Sequence, residues 1–501
     1  MSKQENQRSE AARALVGIAL GIALSAAGSR AQAQINAAPV GSATAPYSGS
    51  SSPAVQGLTQ SATGIPTNFS GSVATGKATN TVLQLTLKEA INNALRQNLG
   101  VVLGGQQSRA ARAAKLKALS DLLPHVSGKV SGTEQQVNLA AFGLPPLPGV
   151  APIVGPFGIN DARAYVTQSV FDLNAINNKR AAALDEKAAQ STYADDREIV
   201  VLVVADLYLR AVAGEAQVTA AKAQVETAQS TYDQAVTMRG AGMVAGIDML
   251  RAKVELQSRQ QQLLFLSNEF AKDKLDVARA IGMPYGQAFE LADKMPYAPA
   301  PMVDLESALQ HAFERRRDFQ GAQARLRAAE AAKRAAVAER LPSLTANGDY
   351  GDLGRSFANS HGTFTATAAL NIPIFQGGKA GADILQADSL LNQRKAALED
   401  LRGQIDSEVR KAFLDLQAAS DQVEVTKLEV DLAGQTLKQA RDRFSAGVAD
   451  NLEVVQAQES LANANQAYIS SVYAHNIAKA SLARVVGIAE QAVMQFLGEQ
   501  H

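Results

Sequence analysis

Two hydrophobic periods run through the chain, and each occurs in two places. Between Thr363 and Ile374, apolar Phe364, Ala366, Ala368, Leu370, Ile372 and Ile374 alternate with Thr363, Thr365, Thr367, Ala369 and Asn371. A period of two over about eleven residues predicts a strand with one apolar and one polar face. Residues 162–171 alternate less cleanly, with Arg163 and Gln168 read as interruptions. Weaker strands are predicted around Val126, Gly128 and Val130, and around Leu344, Ala346, Gly348 and Tyr350. The other period is helical. Val454, Ala457, Leu461, Ala464, Tyr468, Ser471, His475, Ala478, Leu482 and Val485 step by threes and fours. Met249, Ala252, Leu256, Arg259, Leu263, Leu266, Phe270, Asp273, Val277 and Ala280 keep the same register. A sustained repeat of about 3.5 residues is a coiled-coil seam, and its small and polar members predict close, partly wet packing. Residues 175–239 and 378–444 hold no proline, so each predicts a helix of roughly 100 Å at about 1.5 Å per residue.

These elements recur in order, which predicts a duplicated unit. Leu87-Lys88-Glu89-Ala90 answers to Leu305-Glu306-Ser307-Ala308, and Leu123-Pro124 to Leu341-Pro342. Phe171 answers to Phe375, and Gly242, Ala252, Leu256 and Gly282 to Gly447, Ala457, Leu461 and Gly487. The change of offset places an insertion in the stretch with Pro145, Pro146, Pro148, Pro152 and Pro156, predicted to be a long loop because prolines that dense fit neither a helix nor a central strand. The first unit is expected over 81–300, with a helix, a β-hairpin at 125–172 and a long helical hairpin at 175–282. The second is expected over 301–490, with a β-hairpin at 343–375 and a helical hairpin at 378–487, followed by a tail at 491–501.

Composition narrows the function. The 501 residues carry 48 Lys+Arg against 48 Asp+Glu, and without a basic tract nucleic acid is not an expected partner. The absence of cysteine removes disulfides, thiolate metal sites, cysteine nucleophiles and lipid attachment through an N-terminal Cys. Lys3, Arg8 and Arg13 before an apolar run from Ala14 to Ala27, then Ala31-Gln32-Ala33, predict a signal peptide over 1–33. Residues 34–80, rich in Ser, Gly, Ala and Pro, are expected to be a disordered leader. The fold class is therefore mainly α with a small β part. Four strands with one apolar face each fit a membrane barrel but cannot close one, since the smallest have about eight, so either several chains contribute to one barrel or the strands form a short soluble sheet capping the helical bundle. A soluble periplasmic scaffold or adaptor is the alternative; it would share the helices but not the apolar strand faces.

The duplicated Leu-x-x-Ala starts, Leu-Pro before each β-hairpin, Ser169-Val170-Phe171-Asp172 and Ile372-Pro373-Ile374-Phe375-Gln376-Gly377-Gly378 carry a resemblance. So do Ala241-Gly242-Met243-Val244-Ala245-Gly246-Ile247-Asp248, its counterpart from Ala446-Gly447 to Glu453, and Ala-Arg-x-x-Gly at 278–282 and 483–487. From Leu85 to Glu490 the chain resembles the TolC-like outer membrane factors. The resemblance implies a homotrimer whose chains each give four strands to a twelve-stranded barrel and whose helices form a periplasmic tunnel. It further implies export of small molecules or proteins from a Gram-negative cell, with a periplasmic adaptor and an inner-membrane transporter of RND, ABC or MFS type. Phe364, Ala366, Ala368, Leu370, Ile372 and Ile374 would then face outer-membrane lipid. Gly242, Met243, Val244 and Ala245, with Gly447, Val448 and Ala449, would form hairpin tips for the adaptor, because a tip is exposed and glycine accepts the reversal cheaply. Glu453 matches the place where relatives carry tunnel-facing acids, which implies a carboxylate ring at a periplasmic gate. Asp248 is expected to serve its helix N-terminus.

His125, His311, His361, His475 and His501 lack metal-ligand or acid–base spacing, and His475 is expected in a packed seam. Gly377-Gly378-Lys379 lacks the spacing of a phosphate loop and is read as a strand-to-helix exit. Arg315-Arg316-Arg317 is expected on a solvated helix face. No catalytic residue, cofactor or metal is expected, and the protein is not read as an enzyme.

Overall fold

A computed structural model describes residues 69–142, 151–295, 297–299, 304–446, 448 and 451–491. The expected signal peptide, the leader up to 68, tip residues Gly447 and Ala449, and most of the tail lie outside the described residues. Strand β1 (Leu83–Leu85) leads into helix α1 (Leu87–Gln97). Thr86 and Glu89 cap that helix reciprocally: Glu89 N–H donates to Thr86 Oγ1 at 3.2 Å and Thr86 N–H to Glu89 Oε2 at 3.1 Å. Asn98 ends α1 in an extended conformation and caps helix α2 (Leu99–Ser120) by accepting from Gly100 N–H at 2.9 Å. What the sequence presents as one helix is thus two, broken at Asn98. Helices α5 (Leu305–Arg315) and α6 (Arg317–Ala338) are broken in the same way at Arg316.

After Pro124 and Pro342 the chain turns to strands, β2 (His125–Asn138) and β3 (Ile153–Phe171) in one half, β5 (Ser343–Gly354) and β6 (Ser360–Asn371) in the other. They form one antiparallel sheet in the order β2-β3-β5-β6. The proline-rich stretch is not all loop. Pro152 directly precedes β3, and Pro156 lies within it. The register slips between Gln135 and Val137 there, and β3 pairs with β5 only from Asn160 onward. Pro156 therefore sits at an irregular edge, where a missing N–H breaks no ladder bond. Strand β6 also ends earlier than its alternation suggests, because Pro373 cannot donate to the ladder. Ile372 and Ile374 consequently lie beyond it.

Asp172 caps helix α3 (Leu173–Gly240) through Ala175 N–H, and α4 (Gly246–Ile281) returns antiparallel to it. Gly377 and Gly378, both at positive φ, lead into α7 (Lys379–Ser445), and α8 (Asn451–Val485) returns beside it. The expected strand-to-helix exit is where the glycines stand. Helices α3 and α7 have 68 and 67 residues, so each separates the sheet from a hairpin tip by about 100 Å. Every seam position named above is buried or half-buried, and His475 is fully buried.

The apolar cores lie among the helices. One joins α1, Val200–Val212 of α3, the end of α4, and Phe289 and Leu291 of the short strand β4 (Phe289–Leu291), which pairs parallel with β1. Another joins α5, α7 and α8 through Leu309, Ile405, Val409 and Leu482. A third lies near the tips, around Met238, Leu437, Phe444 and Val454.

Two expectations are corrected by this packing. The leader does not run to 80 as a free segment, since Phe69 is buried against the α1–α2 break. Asn98 Nδ2 donates to Phe69 O at 2.7 Å, Leu99 N–H to Gly71 O at 2.9 Å and Val73 N–H to Gln97 O at 2.8 Å. Residues 69–82 form a strap, tied to the helices by backbone bonds at Phe69, Gly71, Val73 and Thr75 and to the Gln287 side chain at Thr79 and Thr81. The arginine triplet is not one solvated face. Arg315 and Arg317 are exposed, but Arg316 is buried and ion-paired with Asp318 at 2.7 Å and Glu408 at 2.6 Å.

Candidate functional site

Cross-strand register sorts the sheet residues into faces, because directly paired residues share a side. Phe364, Ala366, Ala368 and Leu370 pair with Tyr350, Gly348, Ala346 and Leu344. Those in turn meet Ala164, Val166, Gln168 and Phe171 of β3, and Val166 and Ala162 meet Val126 and Val130 of β2. One face is therefore apolar over all four strands for about 20 Å along them. Tyr350 and Phe364 face each other at one rim, and Phe171 stands at the other. This face has no core beneath it: Phe364 is 78% exposed, Val126 71% and Leu370 62%.

The opposite face carries Ser127, Lys129, Arg163, Tyr165, Thr167, Asn347, Asp349, Thr363, Thr365 and Thr367. Arg163 does not interrupt the alternation, since its odd position puts it on this polar face. It bonds Asp349 on the neighbouring strand, Asp161 at 3.3 Å on its own, and Thr363 Oγ1 at 2.9 Å two strands away. A side chain at Gly351, its direct partner on β5, would put Cβ 2.5 Å from Arg163 Cα, so only glycine permits this approach. Gln168 and, at the Ala162 rim, Asp352 are the polar members of this face; the Gln168 amide is satisfied by the carbonyls of Leu122 and Ser169, each at 2.8 Å.

At the far end, α3 reverses through Ala241 and Gly242, the latter at φ +76° with open space around its missing Cβ. Met243 and Ala245 are exposed, but Val244 is half-buried against the tip core, so it is less available than its sequence suggests. Val448 is exposed on the other tip. Two polar links join the hairpins. Asn451 Nδ2 donates to Asp248 O at 3.1 Å, and Gln458 Nε2 to Thr231 Oγ1 at 3.0 Å. Asp248 stands in the first turn of α4, beside Arg251 at 3.4 Å. Glu453 stands in the first turn of α8, half-exposed, with Arg443 of α7 at 3.5 Å. Among the described residues no group of His, Cys, Asp or Glu has the geometry to hold a metal ion.

A sheet with one bare apolar face, set on very long paired helices, is the arrangement of outer-membrane channels, and sequence comparison agrees. The family model described as "Outer membrane efflux protein" matches residues 90–283 and 308–488, and the chain belongs to that family. It is 25% identical over 426 residues to the toluene efflux pump outer membrane protein TtgC of Pseudomonas putida, covering 80% of this chain and 82% of that protein. It is 28% identical over 250 residues to the outer membrane protein OprJ of Pseudomonas aeruginosa, covering 48% of this chain and 49% of that one. Its fold matches the outer membrane protein VceC of Vibrio cholerae with a TM-score of 0.68 at 18% identity, covering 80% of this chain and 96% of that one. It matches CusC with a TM-score of 0.69 at 20% identity, over 86% and 98% of the two chains.

Proposed function

We propose that this protein is the outer-membrane channel of a tripartite export system, a passive homotrimeric tunnel for small molecules or proteins. The observation that carries this reading is the apolar sheet face, exposed over four strands while every apolar core of the described residues lies elsewhere. Burying such a face is worth about 25 cal/mol per Å², and lipid covers it in a barrel wall. Strands β2 and β6 are both open edges, which a twelve-stranded barrel of three chains removes. Leu264, Phe265 and Leu275 on α4, and Leu414, Leu428 and Leu432 on α7, are exposed apolar residues suited to helix packing between copies.

In this arrangement Phe364, Ala366, Ala368 and Leu370 face lipid, with Ile372 and Ile374 just below the strand. Met243, Val448 and the glycine turns receive a periplasmic adaptor, which links the tunnel to an inner-membrane transporter. Glu453 lines the periplasmic end, with Arg443 moderating its charge. The relatives' names, which include efflux pumps for toluene and antibiotics, favour small molecules as cargo. The soluble-scaffold alternative leaves the apolar face bare and is disfavoured for that reason. Fractionation combined with mass measurement in mild detergent tests the proposal: a trimer in the outer-membrane fraction is expected, and a folded monomer in the soluble periplasm overturns it.

A further inference from the structure

Between the two halves, residues 297–299 lie against α8 over two titratable side chains that are fully buried, His475 and Lys479. Both donate to a single acceptor. His475 Nε2 and Lys479 Nζ each lie 3.1 Å from the carbonyl oxygen of Ala298. The Tyr297 ring packs on the imidazole with centroids 5.7 Å apart. Because Nε2–H is the donor, the neutral ring presents a bare lone pair at Nδ1, which is buried and meets no hydrogen-bond partner. A proton added there has nothing to bond and a neighbouring ammonium to repel it.

The surrounding charges do not relieve this. On α8 the neighbour is Tyr473, whose hydroxyl donates to Asp206 of α3 at 2.7 Å. Arg210 of α3 and Asp273 of α4 pair with each other at 2.9 Å. On the connecting segment, Asp293 accepts from Leu87 N–H at 2.7 Å and Asp304 from Ser307 N–H at 3.1 Å, while Lys294 is exposed. Lys411, Asp415 and Asp421 of α7 are exposed. Among the described residues no carboxylate bonds His475 or Lys479.

We infer that His475 and Lys479 form a pH-sensitive catch that holds the inter-repeat segment around Ala298 on α8 and releases it on acidification. The closed form favours the uncharged state of both groups, and lifting the segment lets water solvate them. Burial holds the His475 pKa below its ordinary value, outweighing the opposing Ala298 hydrogen bond and with Lys479 adding to the shift, and burial pushes Lys479 down to about 8. The sign follows from linkage. Both folded values are depressed cations, so closure gains stability as pH rises: for His475 up to the open-form value of about 6.5, and for Lys479 from about 8 to about 10.4. Opening is flat between these windows.

The chain has no tryptophan, so Tyr297→Trp provides a single reporter in the intact protein, and hydrogen exchange of the 292–305 peptide in the unaltered protein provides a second. From pH 6.5 downward, opening measured by exchange, corrected for intrinsic rates, is expected to rise by up to about tenfold per pH unit. Tryptophan quenching should rise with it, and His475→Phe should flatten both profiles. Above pH 8 opening should fall, and Lys479→Met should remove that second window. Invariant exchange from pH 8 to pH 5, or an undiminished acid step in His475→Phe, would overturn the inference.

Discussion

Arg316 Nη1 stands 2.6 Å from Glu408 Oε2, tying the break between α5 and α6 to the middle of α7. Asp318 takes the other side of the guanidinium at 2.7 Å; against burial, which disfavours both charges, Arg316 holds Asp318 below its ordinary pKa while Asp318 and Glu408 hold Arg316 above its own. Gly487, at φ +80°, approaches the same break so closely that a Cβ would lie 2.9 Å from Arg316 N. Removing one member of a buried pair leaves the others uncompensated, at a cost of about 3–5 kcal/mol. Arg316→Ala is therefore expected to lower the thermal midpoint clearly, with Arg315→Ala and Arg317→Ala close to neutral. Calorimetry of the three variants in one detergent decides, and equal effects would contradict the ion-pair account.

Leu370→Arg and Ala368→Arg place charge on the face assigned to lipid, at an expected cost of up to about 2–4 kcal/mol near the bilayer midplane. Thr365→Lys and Thr367→Lys, on the opposite face, should be tolerated. An assembly assay in outer-membrane vesicles distinguishes them. Indistinguishable yields would argue that the sheet is no membrane wall.

Gly242→Trp should leave assembly intact and abolish transport. Open space surrounds the missing Cβ, so the bulk disturbs no packing, although the positive φ adds local strain. Crosslinking to the adaptor from an exposed neighbour such as Met243 reads the contact directly. Unimpaired crosslinking and efflux would remove the tip from the docking surface.

Glu453→Gln keeps shape and deletes charge, so in planar bilayers it should weaken cation selectivity and block by multivalent cations. Arg443→Gln, deleting the partner 3.5 Å away, should do the reverse. Matching shifts of opposite sign would support a tunnel-facing pair; unchanged conductance in both would place Glu453 on the outer surface.

Through Asp196, acidification should stabilise the helical body between neutral pH and about pH 4, opposed by the charging of buried His475 below about pH 6.5. Asp196 is raised to about 6, by burial first and by Asp195 second, and a methyl at Gly104 would fall 2.3 Å from its Oδ2. A carboxyl whose folded pKa is raised binds its proton before the unfolded chain does. Stability therefore grows as pH falls through about 6 and levels off near the unfolded value of about 3.9. Asp195, Glu198 and Asp273 are raised as well, each chiefly by burial. Denaturant midpoints across this range should rise, and Asp196→Asn should shrink the slope.

Much of this molecule was legible one residue after another, because its dominant elements are periodic. The seams from Met249 to Ala280 and from Val454 to Val485 fix which helix sides are buried, and a helix needs only its own sequence to express that period. The alternation from Phe364 to Leu370 likewise fixes two faces without reference to a partner. The composition excluded cysteine chemistry, and the glycines at 242, 377 and 378 marked reversals that the backbone makes at positive φ. What tertiary structure decided concerns residues whose partners are distant in sequence. Arg163 reads as an error in a strand until Asp349 and Thr363, some 186 and 200 residues later, supply its partners. Arg316 reads as surface until Glu408 meets it, and Phe69 as leader until Gly100 makes room for its ring. Lys479 falls outside the named seam positions, and its burial follows from the Ala298 carbonyl that lies over it. Periodicity is a local property that burial reinforces, whereas the cost of a buried charge depends on which distant group answers it, and only the assembled fold sets that.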